Sequence, residues 1–315
     1  MSDGKMAISA SDWIAKGSFF PTSNGFRIFY RKTGHGQPLV MLHGFPTWSY
    51  DYAKVSLDLS SEFHVITFDF LGYGASDKPQ YHQFTVNESA DIVEELLKHL
   101  GISDISLVIH DYGGIVGQEL LDRTQKGKLS FDIKTVHLLN SGIVYSAYRP
   151  TIVQRMLATP IIGSLIVYLI NQTSVRRLID RVRGESKLTD DEFQQLWTGI
   201  SLDNGHRLAH YHIRYNTERA EHHKRWEEAL YKYKGRLQLI WGMADPISGK
   251  HVLDLARPLL PNAHIVELPN VGHFPQSEDP KAVSAAIRSF EQGAISIAGQ
   301  EGISPYHRPD EGYGR

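Results

Sequence analysis

Residues 105–117 read I-S-L-V-I-H-D-Y-G-G-I-V-G. Ile105–Ile109 is a short, mostly apolar run, the pattern of a buried strand. It stops at His110-Asp111, and Tyr112-Gly113-Gly114 leads into a helical segment over Ile115–Thr124. Strand, tight turn with a polar tip, then helix is the layout of a nucleophile elbow. The turn lifts the tip residue above the sheet, and the helix N-terminus beneath it offers N–H groups to developing negative charge. Glycines after the tip permit the sharp turn and the close approach of helix to strand. The tip here is Asp111. A carboxylate can displace a leaving group from a saturated carbon and form an ester with it. Water must then cleave that ester, so a base is needed elsewhere in the chain. Asp also caps helices, so the elbow alone leaves nucleophile and N-cap both open. Ile109 stands where a small residue is usual.

Outward from the elbow, strands and helices alternate. Ser18–Pro21 and Phe26–Lys32 flank the hairpin signal Ser23-Asn24-Gly25, and Pro38–Leu42 and Phe63–Phe68 read as buried strands. Val86–Leu100 has apolar residues at helical spacing and a Gly101 cap, and Lys134–Leu139 is a further strand. This alternation predicts a mostly parallel sheet with helices on both faces. His43-Gly44-Phe45-Pro46 leaves the carboxyl end of a strand, where such sheets build their sites. The loop is either a plain turn or one half of an oxyanion hole made by the N–H groups of Phe45 and Tyr112. The Gly-rich turn Asp69–Asp77 lacks the Lys-Ser/Thr of a phosphate loop and is expected to be structural.

The alternation breaks at Asn140. Residues 141–233 read as all-helical, an inserted cap, whereas 1–140 and 234–291 form the core. Residues 1–16 are expected to be a loose lead-in, and the polar tail 292–315 to be disordered. Strands resume at Arg236–Trp241 and His264–Leu268, each followed by a polar loop residue, Asp245 and His273. An acid and then a histidine, each just after its own strand, can converge with Asp111 above the sheet.

The 315 residues are 41% hydrophobic and 22% charged with a net charge of −2, and contain no cysteine. Disulfides, thiolate chemistry and cysteine–zinc sites are excluded. Neither nucleic acid nor an anionic membrane is suggested as a general partner. No signal peptide is visible, and the longest apolar run, Ile161–Ile170, is too short for a membrane span of about 20 residues. A cytoplasmic location is expected. Pro160–Ile170 can rest on a membrane surface or pack within the cap, the second being the plainer reading. His206, His210, His212, His222 and His223 alternate with Arg and Glu and read as a solvated helix face, not as a metal site.

Five motifs together resemble the α/β-hydrolase superfamily in its epoxide hydrolase and haloalkane dehalogenase branch: His43-Gly44-Phe45-Pro46, Asp69–Asp77, His110–Gly114, Asp245-Pro246 and Gly272-His273. H-G-F-P-T-x-S-Y-D, D-F-L-G-x-G-x-S-D-K-P and Glu278-Asp279-Pro280 more closely resemble the mesoderm-specific transcript group. The resemblance covers roughly residues 11–291. It implies an α/β-hydrolase fold with a helical cap and a cofactor-independent, metal-free mechanism on a small apolar substrate, an epoxide or an organohalide. Asp111 would be nucleophile, His273 the base and Asp245 its orienting acid. For an epoxide, cap tyrosines would protonate the leaving oxygen, with Tyr215 first, Tyr168 second, and Tyr145 and Tyr148 further candidates. For a halide, the positions that would donate N–H carry Tyr112 and Phe45, which lack one on the side chain, so epoxide hydrolysis to a diol is the first reading and dehalogenation the alternative. Trp197 could supply one halide donor. The third reading is a ligand-binding protein without turnover. Oligomeric state is not legible in the sequence.

Overall fold

The computed structural model describes residues 8–147 and 149–301, without the side chains of Pro160 and of 294–301. Tyr148 and residues 302–315 lie outside the described residues. Eight strands form one sheet: β1 (Ser18–Pro21), β2 (Arg27–Thr33), β3 (Gln37–Leu42), β4 (Phe63–Phe68), β5 (Asp104–His110), β6 (Asp132–Leu139), β7 (Arg236–Gly242) and β8 (His264–Leu268). Their order is β1-β2-β4-β3-β5-β6-β7-β8. Pairs β1/β2 and β2/β4 are antiparallel, and every other pair is parallel. Strands β3 and β5 are buried over most of their length and read as largely apolar runs, as strands covered on both faces must.

Helices Val86–Leu100 and Tyr112–Gln125 pack together on one side of the sheet, and Ala53–Leu59 packs against Pro280–Glu301. Among the described residues 141–233 there is no strand. Helices Ile152–Ala158, Pro160–Ile166, Gln172–Val182 and Asp190–Ser201 line cavities together with the loops at the carboxyl ends of the strands. Helix Tyr215–Tyr231, assigned to the cap by sequence, instead runs along Tyr112–Gln125 as part of the core layer. Its Trp226, Ala229 and Leu230 are buried. The Trp226 indole donates to Glu119 at 2.7 Å, and the Gln118 amide donates to the Trp226 carbonyl at 3.2 Å.

Two expectations at the chain ends need correction. The lead-in is not loose throughout: Ala10–Ala15 is a helix capped by Ser9, and Trp13 is fully buried, its indole donating to Ser49 at 3.1 Å. At the other end, the last helix continues to Glu301, past the expected boundary at 291. Ala294, Ile295, Ile297 and Ala298 continue its apolar spacing, a periodicity that the Gly and Ser content of this stretch obscured.

Candidate active site

Strand β5 delivers Asp111 at φ 47° and ψ −111°, outside the ordinary regions for a residue with a Cβ. Such a conformation costs of the order of 1–3 kcal/mol and persists only where the surroundings impose it. Here the Asp111 N–H donates to the Asn140 carbonyl at 3.1 Å, and the Ser141 hydroxyl donates to the Asp111 carbonyl at 2.9 Å. Gly113 lies so close to β3 that a Cβ would stand 2.5 Å from the Leu42 carbonyl oxygen. Gly117 leaves room for the bulky Ile109: a Cβ there would stand 2.6 Å from the Ile109 Cδ1. The unusual isoleucine is thus accommodated one helical turn further on.

The Asp111 side chain makes no helix-capping bond. Its Oδ2 accepts from the Phe45 N–H at 2.9 Å instead, and the Tyr112 N–H also favours its charge. Asp111 thus stands at the N-cap position without using its side chain as a cap, and both expected oxyanion donors face this carboxylate. The loop bearing Phe45 has a cis peptide bond to Pro46. It is anchored by the buried His43, whose Nδ1 donates to the Gly44 carbonyl at 3.0 Å while Nε2 accepts from the Phe70 N–H at 3.1 Å. Burial lowers His43 to about 4, so it stays neutral.

Asp245 and His273 converge on Asp111 as their strand-end positions predict. His273 Nδ1 donates to Asp245 Oδ2 at 2.8 Å, and His273 Nε2 stands 3.7 Å from Asp111 Oδ1. Asp245 is further held by the Ile247 N–H at 2.7 Å, the Ser248 hydroxyl at 2.7 Å and the Asn140 amide at 3.0 Å. His110 donates from Nε2 to the His273 carbonyl at 2.7 Å and accepts from the Gln276 amide at 3.1 Å. It orients the histidine loop rather than reacting.

The electrostatics follow from this arrangement. Burial opposes charge on His273, but the Asp245 carboxylate, its hydrogen bond and Asp111 lift the imidazole to about 9. Burial would raise Asp245, yet His273 and the Ser248 and Ile247 donors hold it below its ordinary value. Burial raises Asp111 against the opposing pull of His273 and the two N–H donors. The His273 ring therefore holds its proton between the Asp245 and Asp111 carboxyl groups. Converting Asp111 to a neutral ester would remove one of the charges that keep the proton on His273 and release the imidazole as a base.

A chamber of about 30 Å³ is lined by Asp111, His273, Phe45, Leu178 and Phe274, room enough for water beside the two catalytic side chains. A cavity of about 250 Å³ shares Phe45, Pro46 and Leu178 with it. Its walls are apolar cap side chains, among them Leu157, Ile166, Leu169, Ile170 and Val175. Among the described residues no group of three or more His, Asp or Glu is placed to hold a metal ion.

The cap tyrosines divide. Tyr215 is buried, its ring centroid 5.1 Å from that of Tyr112, though it does not itself line either cavity. Tyr168 is 70% exposed with Arg207 over its ring, which removes it from the site. Tyr145 stacks on His223 with a centroid separation of 4.4 Å, beside a separate outer groove, and is also removed. Tyr148 lies outside the described residues. Trp197 packs on Phe193 and His206 and lines neither cavity. Tyr73, missed in the sequence, lines the larger cavity and stacks on the ring of His212. Burial, and after it Tyr112, Tyr215 and Asp111, keep its hydroxyl protonated. The available signal was a tyrosine between two glycines just beyond the end of β4. Asn140 was missed likewise, though it ends the apolar run of β6 and bridges Gly242 to Asp245.

Fold, elbow and triad geometry define an α/β hydrolase. A model of the alpha/beta hydrolase fold matches residues 37–280, and the chain belongs to that family. It is 37% identical over 292 residues to the mesoderm-specific transcript protein of Mus musculus, covering 88% of this chain and 86% of that one. A putative hydrolase, LipZ, of Mycobacterium tuberculosis is 34% identical over 284 residues, 90% of this chain and 98% of its own. Haloalkane dehalogenase 2 of Mycobacterium bovis is 27% identical over 276 residues, 85% of this chain and 92% of its own.

Proposed function

We propose that this α/β hydrolase uses Asp111 as its nucleophile and opens an epoxide carried on an apolar chain, giving a diol. The observation that carries the reading is the Asp111 carboxylate itself. It is held by the Phe45 N–H at the elbow and faces a histidine that an acid orients. Acyl transfer at this position would normally use Ser or Cys, and the tip of the elbow is Asp111.

In the first step an Asp111 oxygen bonds to a ring carbon as the ring C–O bond breaks. The leaving oxygen takes a proton from the tyrosine cluster above Asp111, in which Tyr215 and Tyr73 are the members nearest the acid's task. The product is a neutral alkyl ester. The His273 imidazole then takes a proton from a water in the small chamber as that water adds to the ester carbonyl. The Phe45 and Tyr112 N–H groups hold the resulting oxyanion, each worth about 3 kcal/mol in such sites. Before taking that water proton the imidazolium has lost its own to solvent, its Asp111 counter-charge being gone in the ester. On collapse the diol oxygen leaves with the proton that His273 took from water, and the Asp111 carboxyl gives up the remaining water proton to solvent and becomes a carboxylate again. The tyrosine recovers its own proton from solvent. No metal or organic cofactor enters these steps.

An organohalide is the second reading, favoured by the relationship to haloalkane dehalogenase 2. Against it, Phe45 and Tyr112 bring no side-chain N–H to the leaving group, and Trp197 is engaged elsewhere. A purely ligand-binding role would leave the intact triad unexplained.

The test is a His273→Gln variant incubated separately with a terminal alkyl epoxide and a 1-bromoalkane. Mass spectrometry of the Asp111 peptide should show the epoxide adduct. An adduct from the bromide alone selects dehalogenation, and a folded variant that takes up neither refutes both.

A further inference from the structure

The most exposed apolar surface of the described residues lies on the cap, around the two short helices Ile152–Ala158 and Pro160–Ile166 and the turn Val167–Leu169 that follows them. Ile152 and Ile161 are each 76% exposed, Leu169 73%, Tyr168 70% and Leu165 65%, with Met156 and Ile162 nearly half exposed. A contiguous apolar patch of this kind on a soluble protein marks a surface that something covers.

Two further features identify the occupant. No Asp or Glu occurs from Ile133 to Ile179, whereas Arg149, Arg155 and Arg177 in that span are all exposed. Arg207, also exposed, lies over the Tyr168 ring at 5.5 Å, and Asp203 on the adjoining segment is faced by Lys78. An apolar face that carries Arg155 on one of its helices and Arg207 over its Tyr168 complements an anionic lipid surface. A second copy docking about a two-fold axis would set the same arginines against one another, since such a contact is self-complementary. The chain's net charge of −2 conceals this local asymmetry.

The geometry is that of a surface contact, not a span. Each helix has seven residues, about 10 Å of length against a hydrocarbon core of about 30 Å. The two helices are bent by 106° at their junction, so both can lie in the interfacial plane. No single helix among the described residues is long and apolar enough to cross a membrane.

We propose that this face docks on the surface of a bilayer containing anionic lipid. The patch is continuous with the larger cavity: Leu169 belongs to both, and Val153, Leu157 and Ile166 of the same helices form its wall. An apolar substrate dissolved in the bilayer would enter through this wall. That last clause rests on the function proposed above, whereas docking itself does not.

The full chain is sedimented with vesicles of phosphatidylcholine, alone or with 30 mol% phosphatidylglycerol (about that fraction suffices for a strong surface potential). Binding is expected to the mixed vesicles, and to weaken with added salt. The double variant Ile161→Asp with Leu165→Asp alters exposed positions only, and its partitioning should fall more than about tenfold. Tyr81→Asp, at an 89% exposed site elsewhere, should bind as the wild type does. A Leu165→Trp variant should show an emission blue shift on binding. Failure of the wild type to bind mixed vesicles overturns the proposal. So does equal binding by the double variant, or a dimer in solution that the same double variant dissociates. Vesicle binding without epoxide turnover would leave docking standing and remove only the catalytic reading.

Discussion

Replacing Asp245 by Asn separates the two chemical steps. Asp245 Oδ2 accepts from His273 Nδ1 at 2.8 Å and also from Ser248 and Asn140, while Oδ1 accepts from the Ile247 N–H. Among the influences that raise His273 to about 9, the Asp245 carboxylate is the largest. A rise from 6.5 to about 9 corresponds to roughly 3 kcal/mol of preference for the charged ring, held against the opposing effect of burial. An Asn keeps its oxygen toward the Ile247 N–H and turns its NH2 toward His273. The imidazole must then accept at Nδ1 and carry its proton on Nε2, the tautomer that cannot deprotonate water. Ester hydrolysis should slow by about 10³- to 10⁴-fold, the scale of this substitution in a hydrolytic triad. Attack by Asp111 needs no base, so ester formation should change little. Rapid-quench kinetics with a terminal epoxide would show one equivalent of substrate consumed in a burst and then a stall. The His273 titration, followed by NMR, should shift well below 9. Hydrolysis at the wild-type rate, or a His273 titration that does not move, would refute this assignment of Asp245.

His273 also makes a pH-dependent contribution to stability. Its folded value of about 9 exceeds the ordinary 6.5, so the folded state binds the proton more tightly than the unfolded chain. The stabilisation is complete below about 6.5 and is lost as pH rises through about 9. The melting temperature of the wild type should fall across that window, and the fall should be absent in His273→Gln. In the tyrosine cluster, Tyr215→Phe should lower epoxide turnover about 100-fold by removing a general acid, while Tyr168→Phe should leave kcat unchanged. Equal effects at the two positions would dissociate ring opening from the buried cluster.

The parts of the site that the sequence disclosed share a physical property. Asp111 directly follows its strand and Asp245 and His273 stand on the loops just after theirs, so chain order alone brings them to one edge of the sheet. Phe45 and Tyr112 were legible for the same reason, because an oxyanion hole uses backbone N–H groups that strand and helix ends position. The cap residues were not. Whether Tyr168 or Tyr215 points inward depends on how short helices rotate against the core, and one isolated aromatic carries no such information. Helix Tyr215–Tyr231 was placed in the cap because its charged residues mask Trp226, Ala229 and Leu230, which bind it to the core. Tyr73 and Asn140 carry no decisive signal, because a Gly-rich turn and a strand end have the same residues whether they serve structure or the site. Trp13 shows the converse: one buried indole, bonded to Ser49, orders a short helix that its surrounding polar residues do not announce.

The central claim is that Asp111 becomes covalently bound to substrate and that water attacks the resulting ester. A single turnover with enzyme in excess, run in heavy-oxygen water, tests it directly. The account predicts one heavy oxygen in the Asp111 peptide and none in the diol, because the diol receives its oxygen from the carboxylate. A heavy oxygen in the diol with an unlabelled Asp111 would mean that water attacks the substrate itself, and would contradict the account.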